Sequence, residues 1–189
     1  FAPAVEDPAG RVAESEAGKE SIEDVDTAAA FGAQLYTHHI QVTFVAFSMA
    51  ALTLVGGWFV LFFNGAILGA VMAAYLQDDV GVFFFAWVGP HGSLELPAIA
   101  FSGAAGFKMG TALFFPGDRT RGAAVGAALP AVWRILGASA AILVAAGLIE
   151  GSFSQWSKNV VPYGVKIAVA VVLFTFLFAY LYLKPIARR

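Results

Sequence analysis

Ionisable residues stand at the mouth of a strongly apolar segment, residues 90–106, with the sequence PHGSLELPAIAFSGAAG. His91 and Glu95 are four residues apart there, next to the helix-disturbing pair Pro90 and Gly92. A charged side chain at the centre of a membrane helix costs on the order of 3 kcal/mol. These residues therefore either cap a helix end or form a functional site.

Imidazole and carboxylate groups together could bind a divalent ion or relay a proton. That chemistry requires His91 and Glu95 to converge with Glu150, and Arg134 is a further charge at membrane depth. The structural alternatives are a first-turn acid in a helix capped by Ser93, or a buried hydrogen-bonded network between helix ends. The structural interpretations are favoured, and no metal or other cofactor is expected.

The other charged groups in apolar segments have simpler interpretations. His38 and His39 are predicted to form an interfacial cap, because adjacent helical residues diverge by ~100° and cannot easily share one ion. Lys108 and Lys166 are close enough to helix ends for their ammonium groups to snorkel. Arg134 is deeper along its segment and is predicted to be buried against a carbonyl or an acid.

Composition places these residues in a membrane protein. Of 189 residues, 59% are hydrophobic and 13% are charged, against roughly 25% charged residues in globular domains. The absence of cysteine excludes disulfides and thiolate chemistry, and the net charge of −2 argues against nucleic acid as a partner. The lipid bilayer is the expected environment.

The pattern predicts an all-α bundle of about five transmembrane helices plus a short interfacial or re-entrant helix. The five crossings are expected at 41–63, 66–76, 94–115, 122–153 and 163–183, with the short helix at 80–88. The second crossing is expected to end at Gln77-Asp78-Asp79. The turns are expected at Asn64-Gly65, at Pro90-His91-Gly92 and at Pro116-Gly117.

The charge distribution predicts two regions. Residues 1–30 hold eight acids and two bases, a net charge of −6, and are expected to be a peripheral or disordered segment. Residues 31–189 form the transmembrane bundle, entered by an amphipathic surface helix at 28–38. The basic residues Arg119, Arg121, Lys184, Arg188 and Arg189 predict a cytoplasmic C-terminus and extracytoplasmic residues 1–40 in the cell membrane.

Small residues recur at the spacing that lets membrane helices approach closely. The three Gly-xxx-Gly pairs are Gly65/Gly69, Gly106/Gly110 and Gly122/Gly126. Packing within the bundle is the first interpretation, and self-association into a homo-oligomer is the alternative. Familiar enzyme signatures are absent, so the chain is expected not to be an enzyme, with an intramembrane hydrolase as a third choice.

Taken together, the motifs resemble those of the stage II sporulation protein M family over about residues 31–183. The resemblance rests on Asn64-Gly65-x-x-Leu68-Gly69-Ala70, Pro90-His91-Gly92-x-x-Glu95-Leu96, Gly103-Ala104-Ala105-Gly106, Pro116-Gly117 and Ile149-Glu150-Gly151. His38-His39 stands where the family often has an Asn pair, and the usual proline after Ile-Glu-Gly is missing.

The resemblance implies an integral membrane protein of a bacterial or archaeal envelope. The family's namesake belongs to a membrane complex that anchors peptidoglycan-degrading proteins, whereas most relatives occur in organisms that do not sporulate. The expected function is a non-enzymatic scaffold or accessory subunit that recruits or stabilises other membrane or envelope proteins. The alternative is a transporter or channel component with an ion or proton site around Glu95 and Glu150.

Overall fold

The computed structural model of the chain describes residues 6–17, 25–156 and 158–183. These residues form six α-helices and one 3₁₀ turn, Phe153–Gln155, and no strand occurs among them. The helices are α1 Pro8–Glu16, α2 Val25–Thr53, α3 Val55–Gln77, α4 Gly81–Phe114, α5 Arg121–Glu150 and α6 Tyr163–Leu183. The all-α prediction is confirmed.

Among the described residues, three helices are long and apolar enough to cross a membrane: α3, α5 and α6. This is fewer than the five crossings predicted. The long helices α2 and α4 do not qualify because polar residues interrupt their apolar runs. His38, His39 and Gln41 do so in α2, and Glu95 and Lys108 do so in α4.

Several predicted boundaries are confirmed. Helix α6 has the predicted bounds, and α3 ends at Gln77 as expected. The break after α4 falls at Pro116-Gly117, where Gly117 has φ +62°, a left-handed backbone that glycine adopts without strain. At these helix boundaries the local residue types determine where the helix begins or ends.

The predicted turn at Asn64-Gly65 is wrong, because α3 runs through both residues. The chain breaks about ten residues earlier, at Leu54, which has φ 53°. The Thr53 hydroxyl accepts a hydrogen bond from the Gly56 amide at 2.9 Å and donates to the Met49 carbonyl at 2.8 Å. Thr53 therefore satisfies backbone groups on both sides of the break.

The predicted break at Pro90-His91-Gly92 is also wrong, as are the separate helix at 80–88 and the helix start capped by Ser93. Helix α4 is continuous from Gly81 to Phe114. The Ser93 hydroxyl donates to the Pro90 carbonyl at 2.9 Å. In apolar surroundings an unbroken helix is the simplest way to satisfy backbone groups, and this outweighs the propensities of Pro90 and Gly92.

The acidic N-terminal region contains a described helix, α1, capped by the Asp7 carboxylate, which accepts from the Gly10 amide at 2.8 Å. The amphipathic helix predicted at 28–38 is not a separate element, because its backbone forms the start of α2. Residues 18–24 and the basic residues Lys184, Arg188 and Arg189 lie outside the described residues.

The chain divides into two compact units. Unit 1 comprises residues 1–33, 69–94 and 145–189, and unit 2 comprises residues 34–68 and 95–144. Helices α2 to α5 each contribute one part to each unit.

Unit 2 is built on close contacts of small residues. Its buried cluster contains Ala105, Ala128 and Val132. A side chain at Gly57 would meet the Ala50 backbone at 2.6 Å, and one at Gly103 would meet Leu61 at 3.0 Å. The backbones approach this closely because glycine and alanine line the facing helix surfaces.

Unit 1 is held by aromatic side chains around Phe83. Its ring stacks on Tyr75 with centroids 6.1 Å apart and meets Tyr163 edge-on at 5.9 Å. Arg11 of α1 lies over the Trp87 ring, 4.0 Å from its centroid, and donates to the Tyr75 hydroxyl at 3.3 Å. These contacts fix α1 against the helices of unit 1.

Candidate functional site

The main polar site of unit 2 pairs His39 of α2 with Glu95 of α4. His39 Nδ1 lies 3.0 Å from Glu95 Oε1, with side chains 17% and 4% exposed. The two atoms approach closely without the geometry of a hydrogen bond. An ionised carboxylate this well buried is costly unless an opposite charge faces it, and His39 provides that charge only when its imidazole is protonated.

The packing of α2 on α4 positions this pair. Along one face of α4, the Ser102 hydroxyl donates to the Thr43 carbonyl at 3.0 Å. A side chain at Gly106 would then meet Phe47 and Ala50. Later residues of α4 contact later residues of α2, so the two helices run parallel. Glu95 stands at the start of this face and meets His39.

The role of His39 differs from the predicted interfacial cap. The sequence places His39 and Glu95 56 positions apart, and only the α2–α4 packing joins them. The signal that could have indicated the contact is the face Glu95, Ser102, Gly106 and Gly110, whose small residues mark a close helix approach. One imidazole and one carboxylate can share a proton or supply two ligands to a divalent cation.

His91 and Glu150 belong to unit 1. His91 is buried, and its Nδ1 lies 3.0 Å from the Ser154 hydroxyl. Glu150 is fully buried at the end of α5. The predicted four-residue network of His91, Glu95, Glu150 and Arg134 stays a prediction.

Arg134 and Lys108 are exposed, so the prediction that Arg134 is buried is wrong. Position along a helix sets the depth of a side chain but not the face on which it lies. The predicted carbonyl partner of Arg134 is confirmed: its Nε donates to the Pro130 carbonyl at 3.1 Å, one turn earlier. This contact gives the guanidinium a local role in a helix that contains a proline.

The residues predicted to form structural motifs lie in different kinds of position. Pro90 and Gly92 are buried within α4 of unit 1, and Gly117 forms the turn after α4. A methyl group at Gly65 would contact no neighbouring helix within 4 Å among the described residues. Pro116 precedes the turn glycine and accepts from the Arg119 amide at 3.4 Å.

The Gly-xxx-Gly pairs also differ. Gly106 and Gly110 pack against α2 inside unit 2, as the first interpretation expects. Side chains at Gly69, Gly122 or Gly126 would meet nothing within 4 Å. Of the three spacings, one is used for packing inside a unit, and the other two leave space beside the helix.

Lys166 lies in the first turn of α6 but does not snorkel to the solvent. It is 3% exposed, and its ammonium donates to the carbonyls of Ser154 at 2.9 Å and Trp156 at 2.5 Å. The lysine thereby ties the loop before α6 to the helix.

A second polar cluster joins α1 to the start of α6. Glu16 Oε2 lies 2.5 Å from the Lys158 ammonium, and the Tyr163 hydroxyl donates to Glu16 Oε1 at 2.9 Å. The hydrogen bonds from Lys158 and Tyr163 hold the pKa of the Glu16 carboxyl below its ordinary value of 4.5. Docking of α1 is therefore stabilised by an ionised Glu16.

We expect this docking to weaken in acid. Because folding lowers the pKa of Glu16, its contribution is complete above pH 4.5 and disappears as the pH falls through the lower folded-state pKa. The effect is about 1 kcal/mol or less, since both side chains are partly exposed. Tryptophan emission should report it, because Arg11 lies over Trp87. Glu16→Gln should show the acid signal at neutral pH, and a wild-type titration matching that of Glu16→Gln would contradict the assignment.

Comparisons with known proteins agree with the motifs. The family model of stage II sporulation protein M matches residues 4–155, well over half of the chain. The match begins before α1 and ends within the 3₁₀ turn, whereas the motif resemblance covers about residues 31–183. No curated protein and no solved structure gives a significant match. The chain belongs to the stage II sporulation protein M family.

Proposed function

We propose that the chain is a non-enzymatic membrane scaffold or accessory subunit, which recruits or stabilises partners in an envelope membrane complex. The observation that carries this proposal is how little the chain covers its own apolar helices. In the most apolar 18-residue window of α6, 6% is buried, and the corresponding shares in α3 and α5 are 11% and 22%. Their surfaces remain available to lipid and to partner helices.

One exposed surface has an ordered shape. Phe174, Phe178 and Tyr182 follow one another at every fourth residue of α6, with ring centroids 4.4 Å and 6.3 Å apart. We name these three residues the aromatic ridge. Phe174 is 47% exposed and Tyr182 is 72% exposed. Lipid chains solvate apolar surface as well as a protein does, so association between membrane helices depends on complementary packing, which such a ridge offers.

The test is purification from native membranes in mild detergent, with co-purifying proteins identified by mass spectrometry. We expect stoichiometric recovery of membrane or envelope proteins. A Phe174→Ala/Phe178→Ala variant should lower that recovery about tenfold, which corresponds to about 1.4 kcal/mol. Phe176→Ala is the matched control, because Phe176 is 71% exposed and does not belong to the ridge.

Two results would argue against this role. Wild-type chain recovered alone, or as a homo-oligomer without other proteins, would contradict recruitment of envelope partners. Equal recovery with the ridge variant and with Phe176→Ala would contradict a specific role of the aromatic ridge in binding. We also propose that residues 1–40 are extracytoplasmic, that the C-terminus is cytoplasmic and that the chain crosses the membrane five times. Accessibility labelling on intact cells tests this arrangement.

A transporter or channel component is the second candidate, and the His39–Glu95 contact favours it. A titratable pair on facing helices could hold an ion or pass a proton. If it does, ion or proton flux measured in proteoliposomes should disappear in Glu95→Gln. Flux that is unchanged by this substitution, or no flux with the wild-type chain, would contradict the transport role.

A further inference from the structure

A positively charged pocket lies wholly within unit 1. Its enclosed space is about 20 Å³, room for about one water molecule, so a phosphate group would occupy the open mouth as well. Three cations line it, Arg11, Lys158 and Lys166, of which Lys158 is paired with Glu16, together with the tryptophans Trp87 and Trp156. None of these side chains takes part in the His39–Glu95 site, and the described residues that line the pocket include no acid.

Lys166 has no counter-charge among the described residues. Its ammonium is buried and uses two of its three donors on carbonyl oxygens. Among the residues that the structure describes, no carboxylate lies within ion-pair distance of it. A buried charge without an opposite charge costs several kcal/mol, and an anion in the pocket would offset that cost.

Arg11 also has donors to spare. A guanidinium carries five N–H groups in a planar fork, and Arg11 directs one of them to the Tyr75 hydroxyl. Its position over the Trp87 ring holds the fork in place. A fork of this kind matches two oxygens of a phosphate. Glu16 does not neutralise Arg11, because its two oxygens bind Lys158 and Tyr163.

The pocket also lies at a favourable depth. Lys166 and Tyr163 belong to the first turn of α6, a candidate span whose helix dipole presents its positive end there. Trp87 and Trp156 are typical of the headgroup region of a bilayer. We propose that this pocket binds a phosphate-type anion, either the headgroup of an anionic lipid or a free phosphate.

The test uses the full chain in mild detergent with two probes, phosphatidylglycerol and inorganic phosphate, and phosphatidylcholine as the neutral comparison. Native mass spectrometry counts bound lipid, and thermal unfolding followed by tryptophan fluorescence reports stabilisation. The main variant is Arg11→Gln, and Lys166→Gln is the second. Arg119→Gln is the matched control, because Arg119 is an exposed cation outside the pocket.

We expect Arg11→Gln to weaken binding of the anionic probe about tenfold, the loss of one charge-assisted contact. Arg119→Gln should bind like the wild type. Preference for phosphatidylglycerol over phosphatidylcholine identifies a lipid headgroup, whereas stabilisation by inorganic phosphate alone identifies a free anion. The proposal is overturned if neither anionic probe binds, or if Arg11→Gln and a folded Lys166→Gln bind as well as Arg119→Gln.

Discussion

Gly110→Ala should be among the most destabilising single substitutions in unit 2. A methyl group at this position would lie 2.6 Å from the Ala50 carbonyl oxygen, 3.0 Å from the Ala51 carbonyl oxygen and 2.8 Å from Leu54. Two of these neighbours are backbone atoms, so α2 and α4 must separate to make room. Overpacking of this kind costs about 2–3 kcal/mol. The apparent melting temperature in detergent should fall by about 5–10 °C.

The control is Gly126→Ala on α5 in the same unit. Gly126 has the same Gly-xxx-Gly spacing, but an added side chain would meet nothing within 4 Å. Alanine favours helix over glycine by roughly 0.5–1 kcal/mol, so the control should be neutral or slightly stabilising. Equal melting temperatures for the two variants would show that the close α2–α4 contact is absent in the membrane protein.

The sequence predicts those features of the fold that depend on local chemistry. Helix α6 is an apolar run that follows Pro162 and contains Lys166 as its one charged residue, so its bounds follow directly. The turn at Gly117 has a left-handed backbone, and the glycine in the sequence predicts this because glycine adopts positive φ without strain. In both places the residue type alone decides the outcome.

Other helix boundaries depend on packing between helices, so they cannot be predicted from the local sequence. Asn64-Gly65 has turn chemistry but lies inside α3, while Leu54, with little left-handed propensity, forms the break. Thr53 and the glycines at 56 and 57 mark that break only after α3 is seen packed on α2. Long-range packing overrides local preference at each of these sites.

The candidate site also has one residue that the sequence predicts and one that depends on packing. The sequence alone identifies Glu95 as a candidate, because a carboxylate in an apolar helix needs an explanation. Its partner His39 could not be assigned, since the match depends on which face of α2 meets α4. Neighbouring His38 has the same residue type, and a rotation of ~100° would exchange the two.

Removing the Glu95 carboxylate should cost nearly as much stability as Gly110→Ala. In Glu95→Leu, His39 keeps its place but loses the carboxylate 3.0 Å away. Breaking a buried pair by removing one partner costs about 3–5 kcal/mol, and the 17% exposure of His39 places this case at about 2–3 kcal/mol. His39→Leu should be destabilising for the converse reason. Thermal and chemical unfolding in detergent measure both effects.

The double variant decides whether the two residues act as a pair. Replacing both members of a buried ion pair by apolar residues is often neutral, so His39→Leu/Glu95→Leu should be more stable than the two single effects predict, by at least about 1 kcal/mol. Lys108→Leu combined with Glu95→Leu is the matched control, because Lys108 is an exposed charge on the same helix of unit 2. That combination should be additive within about 0.5 kcal/mol. Additivity of the His39 and Glu95 substitutions would instead mean that each residue acts independently. The transport role would then lose the charge pair on which it rests, whereas the scaffold role, which rests on the exposed surfaces of α3, α5 and α6, would be unaffected.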